Sequence, residues 1–298
     1  MNGSCLKKCL FVFFILFVSL LPVSNAQQRP PITGIAFVQL QVSDMKKAGV
    51  FYNSLMGYNI VPAKSMGGNN THFFDARVNQ RQLIRLQDDL PAGQDERLIG
   101  IAFQTTDAEG LRLYLQSKSV VVPAAVNKEP GILSFAVHDP DKHLVIFVQP
   151  VANAKGQSQN ELQAPAISRR ILHAGLTIAS TQAANVFYAD VLGFSEIWRG
   201  GSNDSITSWI NMRVPEGTDY LEYMLVNGLV NRQQLGSMHH IALMVPDMQQ
   251  AVDILGARAQ KTGYPVAPPR IGRNNRWQLN LFDPDGTRIE LMEPFTMR

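Results

Sequence analysis

Cysteine is nearly absent. The chain of 298 residues has two, Cys5 and Cys9, and both lie in a leader expected to be removed. The mature chain then has no thiol, which excludes disulfides, CxxC redox chemistry and cysteine nucleophiles. Charge is sparse too: 17% of residues are charged and the net charge is +3. No Lys/Arg block interleaved with aromatics occurs, so nothing supports nucleic-acid binding. What is there, 45% hydrophobic residues in a chain of this length, reads as an ordinary globular protein with room for about two domains.

The one long greasy segment is at the front. In "KKCLFVFFILFVSLLPVSNA" two lysines, Lys7 and Lys8, precede an apolar stretch from Cys9 to Leu21. Ser24 and Ala26 follow at the −3 and −1 positions of a cleavage site. That order is expected of a secretory signal over residues 1–26, cut after Ala26, and the apolar run is short for a membrane span. The expected location is secreted or periplasmic, with no stable membrane span once the leader is gone.

The remainder repeats itself. "AGVFYNSLMGYNIV" from Ala48 recurs as "AANVFYADVLGFSEI" from Ala183, and "FAVHDPDKHLVIFVQP" from Phe135 recurs as "LNLFDPDGTRIELMEP" from Leu279. Such repetition has to be settled before any other reading. Within each half a finer unit appears. Four strand-like runs, "FVQLQVSD" (Phe37), "GIAFQTTD" (Gly100), "HAGLTIAS" (His173) and "HIALMVPD" (His240), each lead into a helix-compatible segment and then short strands. The order is β-α-β-β-β, four times. "DPDK" at Asp139 and "DPDG" at Asp283 fit tight turns between the last two strands of units two and four. "PVANAKGQSQNELQAPA" (Pro150–Ala166) reads as the linker between halves.

On these residues, above all the "FY…LGF" element and the "DPDG…E" ending, the chain resembles the vicinal oxygen chelate superfamily over nearly all of residues 32–295. Its members include glyoxalase I, methylmalonyl-CoA epimerase, extradiol dioxygenases and bleomycin-resistance proteins. The resemblance implies an α+β fold in which four βαβββ units pair into two modules, 32–150 and 167–295. Each module is an open, cup-shaped sheet, with a metal ion, when present, at the bottom of the cup.

Strand alternation identifies the residues that face each cup. Ile241, Leu243 and Val245 form a packing face, which puts His240 on the other; Ala174, Leu176 and Ile178 do the same for His173. Glu222 alternates with Leu221 and Tyr223, and Glu290 with Ile289 and Leu291. The histidine-to-glutamate separations are 49 residues (His173 to Glu222) and 50 (His240 to Glu290). Two half-sites that agree this closely predict one divalent metal held by His173, Glu222, His240 and Glu290, with Zn, Ni, Fe, Mn and Co all compatible. His239 is expected at the surface or behind the ligands, and His72, His138 and His143 at the surface. The front module is expected to have lost its ligands, with Phe37 and Gly100 at the histidine places and Ile84 and Ile146 at the glutamate places.

The resemblance implies a glyoxalase I-like lyase or isomerase acting on a small vicinal-oxygen substrate through an enediolate, with Glu290 or Glu222 as the catalytic base. The first alternative is an extradiol ring-cleaving dioxygenase using Fe(II) on His173, His240 and Glu290. Such enzymes also use a further histidine and a tyrosine, yet no histidine lies between His173 and His239, and the residue ten before Glu290 is Asn280. The second alternative is a non-catalytic small-molecule binder. Thr207, Trp209, Asn211 and Arg213, with Gln278, Asn280 and Arg288, alternate towards the back cup as candidate substrate contacts. "RIGRNNRW" (Arg270–Trp277) reads as a solvated hairpin loop. The expected partner is a small-molecule substrate, in a monomer or homodimer.

Overall fold

The computed structural model describes residues 28–63, 72–151 and 166–295; the leader and most of the linker lie outside them. Unit one comprises β1 (Ile32–Gln41), α1 (Met45–Gly49), β2 (Ile60–Ala63), β3 (Phe73–Arg77) and β4 (Leu83–Gln87). Unit two comprises β5 (Leu98–Thr105), α2 (Ala108–Ser117), β6 (Asn127–Glu129), β7 (Ile132–His138) and β8 (Leu144–Pro150). Unit three comprises β9 (Ile171–Ile178), α3 (Thr181–Asn185), β10 (Ser195–Gly200), β11 (Trp209–Arg213) and β12 (Tyr220–Leu225). A short helix, α4 (Arg232–Met238), then precedes unit four: β13 (Ile241–Met244), α5 (Met248–Thr262), β14 (Arg270–Ile271), β15 (Trp277–Phe282) and β16 (Arg288–Met292).

The strands form two eight-stranded sheets of one topology, β2-β3-β4-β1-β5-β8-β7-β6 and β10-β11-β12-β9-β13-β16-β15-β14. In every unit the first strand pairs in parallel with the last, as β9 does with β12 and β13 with β16. The first strands of partner units meet antiparallel at the centre of each sheet. This brings the two half-sites of the back module side by side.

The Asp or Ser that closes each opening strand is the N-cap of the following helix. Asp44 accepts from the Lys46 and Lys47 amides, Asp107 from Gly110, Ser180 from Ala183 and Asp247 from Gln250. These side chains satisfy amides that have no partner inside the helix. After the caps, α1 and α3 run into π-helical segments, Val50–Leu55 and Val186–Val191. Those are the two "FY" repeats, and the wider turn carries both tyrosines into the core, Tyr52 at 0% and Tyr188 at 1% exposure.

The packing faces of both sheets and their helices share one apolar core, which includes Ile84, Phe103, Phe194, Leu221, Ile241 and Ile289. The sheets' other faces form the cups. The Asp-Pro turns build two reciprocal bonds across the module boundary. Tyr52 of the front module donates to Asp283 of the back (3.0 Å), and Tyr188 of the back donates to Asp139 of the front (2.9 Å). Among the described residues no helix is long and apolar enough to cross a membrane.

Candidate metal centre

His173 lies on β9, and His240 stands just before β13, its carbonyl accepting from the Gly175 amide. Register sets the carboxylates beside them: Glu222 on β12 is level with Gly175, and Glu290 on β16 is level with Ala242, itself paired with His173. All four expected ligands therefore converge at the bottom of the back cup. The two imidazole Nε2 atoms are 2.9 Å apart. Glu290 Oε2 is 3.6 Å from His173 Nε2 and 3.7 Å from His240 Nε2. Glu222 Oε2 is 3.3 Å from His240 Nε2 and 3.9 Å from His173 Nε2. Donors bound to one ion at about 2.0–2.2 Å lie roughly 3–3.5 Å from their neighbours, so this nitrogen and oxygen set fits a divalent ion with little movement. His173, His240 and Glu290 form the tightest group, their donor atoms all within 4.8 Å of one another.

The surroundings orient and desolvate the set. His240 Nδ1 lies 2.8 Å from the Met238 carbonyl, so Nδ1 carries the proton and the Nε2 lone pair faces the cluster. Tyr220 stacks on the His173 ring, centroids 4.5 Å apart. Burial pushes the His173 imidazole down to about 3, partly offset by the Glu222 charge. His240 is also held low, by burial and by Arg288. Burial raises Glu290 to about 7, Glu222 adding to the rise and Arg288 opposing it. Neutral imidazole is the form that binds a metal.

Gly175 is the residue that sequence reasoning missed. A Cβ there would stand 2.1 Å from Cε1 and Nδ1 of His240 and 2.6 Å from the Met238 carbonyl. The ring has its place because position 175 has no side chain.

Above the cluster is a cavity of about 520 Å³ whose lining includes Trp209, Gln278 and Arg288, beside Glu222 and Glu290. Asn211 and Asn280 sit in register with Glu222 and Glu290, and each has a side-chain oxygen without a partner among the described residues. Arg213 is exposed and does not line the cavity, nor does Thr207. The "RIGRNNRW" hairpin, expected to be simply solvated, forms a wall through Arg270, Gly272, Arg273 and Asn274.

Three other expectations are corrected. His239 is not at the surface: it is buried, with Nδ1 2.8 Å from Glu96 Oε1 and Nε2 3.0 Å from Thr177 Oγ1. His143 is mostly buried as well, with Nδ1 2.9 Å from Asp139 Oδ2 and Nε2 3.3 Å from Thr177 Oγ1. Both join a polar chain between modules, apart from the metal cluster. In the front cup the register places Phe37 and Gly100 at the histidine positions and Ile146 at that of Glu290, but Arg85, not Ile84, at that of Glu222. Ile84 points into the apolar core.

Residues 170–291 match the family model of the Glyoxalase/Bleomycin resistance protein/Dioxygenase superfamily. The back module belongs to this superfamily. The whole chain has the superfamily's architecture, α+β with two paired modules, as solved relatives show. The 2,3-dioxygenase LapB from Pseudomonas sp. KL28 superposes with a TM-score of 0.66 at 14% identity, covering 89% of this chain and 93% of that one. An extradiol ring-cleaving dioxygenase from B. fuscum gives 0.64 at 19% identity, covering 89% and 73%. The Mn(II)-bound glyoxalase from Novosphingobium aromaticivorans gives 0.62 at 19% identity, covering 89% and 83%. No curated protein matches the sequence. Of these solved structures, the glyoxalase is bound to Mn(II).

Proposed function

We propose that the chain is a metal-dependent lyase or isomerase of the glyoxalase type, acting on a small substrate with oxygens on adjacent carbons. The observation that carries this is the fourth donor: Glu222 reaches the same centre as His173, His240 and Glu290. A bound divalent ion would supply Lewis acidity to the substrate oxygens. Glu290 or Glu222 would take a proton from one substrate carbon and return it to its neighbour. Trp209 and Trp198 wall the cavity, and Arg270, Arg273 and Arg288 suit a substrate with an anionic end.

The His173, His240 and Glu290 group by itself favours a second reading, since two histidines and one carboxylate on one face suit non-haem Fe(II) and ring cleavage. Against it, the cavity lining holds no histidine or tyrosine to serve as a further acid. Tyr220 is engaged with His173 and the Met292 sulfur. Metal-loaded protein is assayed with hemithioacetals and, under an oxygen electrode, with catechols. Hemithioacetal turnover without oxygen uptake is expected; catechol-dependent oxygen uptake would replace the first reading with the second. Turnover of neither would leave a binding protein.

We also infer that the mature chain is exported, on the strength of the lysine, apolar and small-residue order of residues 7–26. Sequencing of the exported form should begin at Gln27; an uncut chain retained in the cytoplasm contradicts this.

A further inference from the structure

The front cup holds a second cavity, about 780 Å³, on the opposite module from the metal cluster. Position by position, its chemistry is the reverse of the back cup's. Phe37 replaces His173, Gly100 replaces His240, Ile146 replaces Glu290 and Arg85 replaces Glu222. Where the back cup gathers lone pairs for a cation, the front cup has an apolar floor of Ala36, Phe37, Ala102, Ile146 and Val148.

One wall of that cup is cationic. Arg77, Arg81 and Arg85 line the cavity, with Asp75 the one acidic residue in its lining. Asp75 takes two of Arg85's nitrogens, at 2.8 Å from Nε and 3.0 Å from Nη2. The third, Nη1, is buried without a partner among the described residues, on a side chain just 10% exposed. The guanidinium lies over the Phe37 ring, 4.8 Å from its centroid. A buried donor on a charged group is costly to leave unpaired, and each such group calls for an occupant such as water, an ion or a ligand. The size lies within the range of small-molecule sites, which are mostly apolar with a few polar anchors.

We propose that the front cup is a second ligand site, for a small organic anion with a flat or short apolar body, such as an aromatic or branched-chain carboxylate. The apolar part rests on Phe37 and Val148. The carboxylate meets the arginine wall, Arg85 on the inside and Arg77 at the strand's end. This site stands apart from the reading of the metal centre and holds whether or not that reading does.

The test uses the full mature chain with benzoate as the probe. All three tryptophans, Trp198, Trp209 and Trp277, are in the back module, so their fluorescence reports the back cup while titration calorimetry reports both. Calorimetry should show benzoate binding that persists in Arg288→Ala, leaves tryptophan emission unchanged, and weakens at least tenfold in Arg77→Ala and in Arg85→Gln, since a charge-assisted contact is worth about that much. Arg77 is half-buried and stands outside the apolar core, so Arg77→Ala keeps the test open if Arg85→Gln unfolds. Absence of binding, equal affinity in Arg77→Ala, or loss of binding in Arg288→Ala would overturn the proposal.

Discussion

His240 can point at the cluster because Gly175 leaves its ring room and the Met238 carbonyl holds its Nδ1 proton. Both supports act on orientation, and orientation of a ligand imidazole is commonly worth 10–100-fold in metal affinity. Gly175→Ala is therefore expected to lower metal affinity at least tenfold while the far-ultraviolet circular dichroism stays that of the parent. A metal titration of the variant checks this, and unchanged affinity would show that the ring relaxes freely. Glu290→Gln keeps the shape but removes the carboxylate that both readings of the reaction need. Turnover should fall by about 10²-fold or more, with little change in the melting temperature. Full activity in that variant would remove Glu290 from the chemistry.

Among elements, the Asp-Pro turns do more than reverse the chain. Asp283 is fully enclosed, accepting from the Thr287 and Asp285 amides and from the Tyr52 hydroxyl, with Asp285, Tyr264 and Arg97 as its other charged or titratable neighbours. Burial raises its carboxyl to about 6, from an ordinary value of 3.8. A carboxyl raised on folding contributes stability that is complete below the unfolded value and is lost as pH rises through the folded one. The parent should thus lose stability between about pH 4 and pH 7, by an amount of order 3 kcal/mol at 1.36 kcal/mol per unit. Asp283→Asn mimics the protonated turn and should flatten that part of the profile in urea melts taken across the range. An equal slope in parent and variant would assign the dependence elsewhere.

The same scale shows what could be read from the sequence and what could not. Strand alternation has a period of two, so the faces of Ile241, Leu243, Leu221 and Ile289 were legible, and with them the convergence of the His173, Glu222, His240 and Glu290 side chains. A one-residue slip reverses a face, and that slip put Ile84 where Arg85 stands in the front cup. His239 and His143 were misplaced because their partners, Glu96 and Thr177, come from distant parts of the chain. The Cβ clash at Gly175 is invisible until β9 and His240 are brought together. The arginine hairpin had a signal in its composition, but only the fold shows that it turns over the cup.

At the scale of the molecule, the modules are fastened by reciprocal contacts. Tyr52 reaches back to Asp283 and Tyr188 forward to Asp139, Phe103 meets Phe194 edge-on, and one apolar core runs through both halves. Calorimetry of the whole chain should show a single unfolding transition rather than one per module. Tyr188→Phe, which takes a donor from the buried Asp139, should cost about 1–3 kcal/mol without splitting that transition. Two separate transitions would contradict the shared core.

One divalent ion is expected in the back cup. Crystals of the mature chain loaded with Mn(II) and measured at an anomalous wavelength give the most direct answer. A single anomalous peak is expected within about 2.0–2.3 Å of Nε2 of His173, Nε2 of His240 and an oxygen of Glu290. No peak between those side chains, in crystals where they remain ordered, would contradict it.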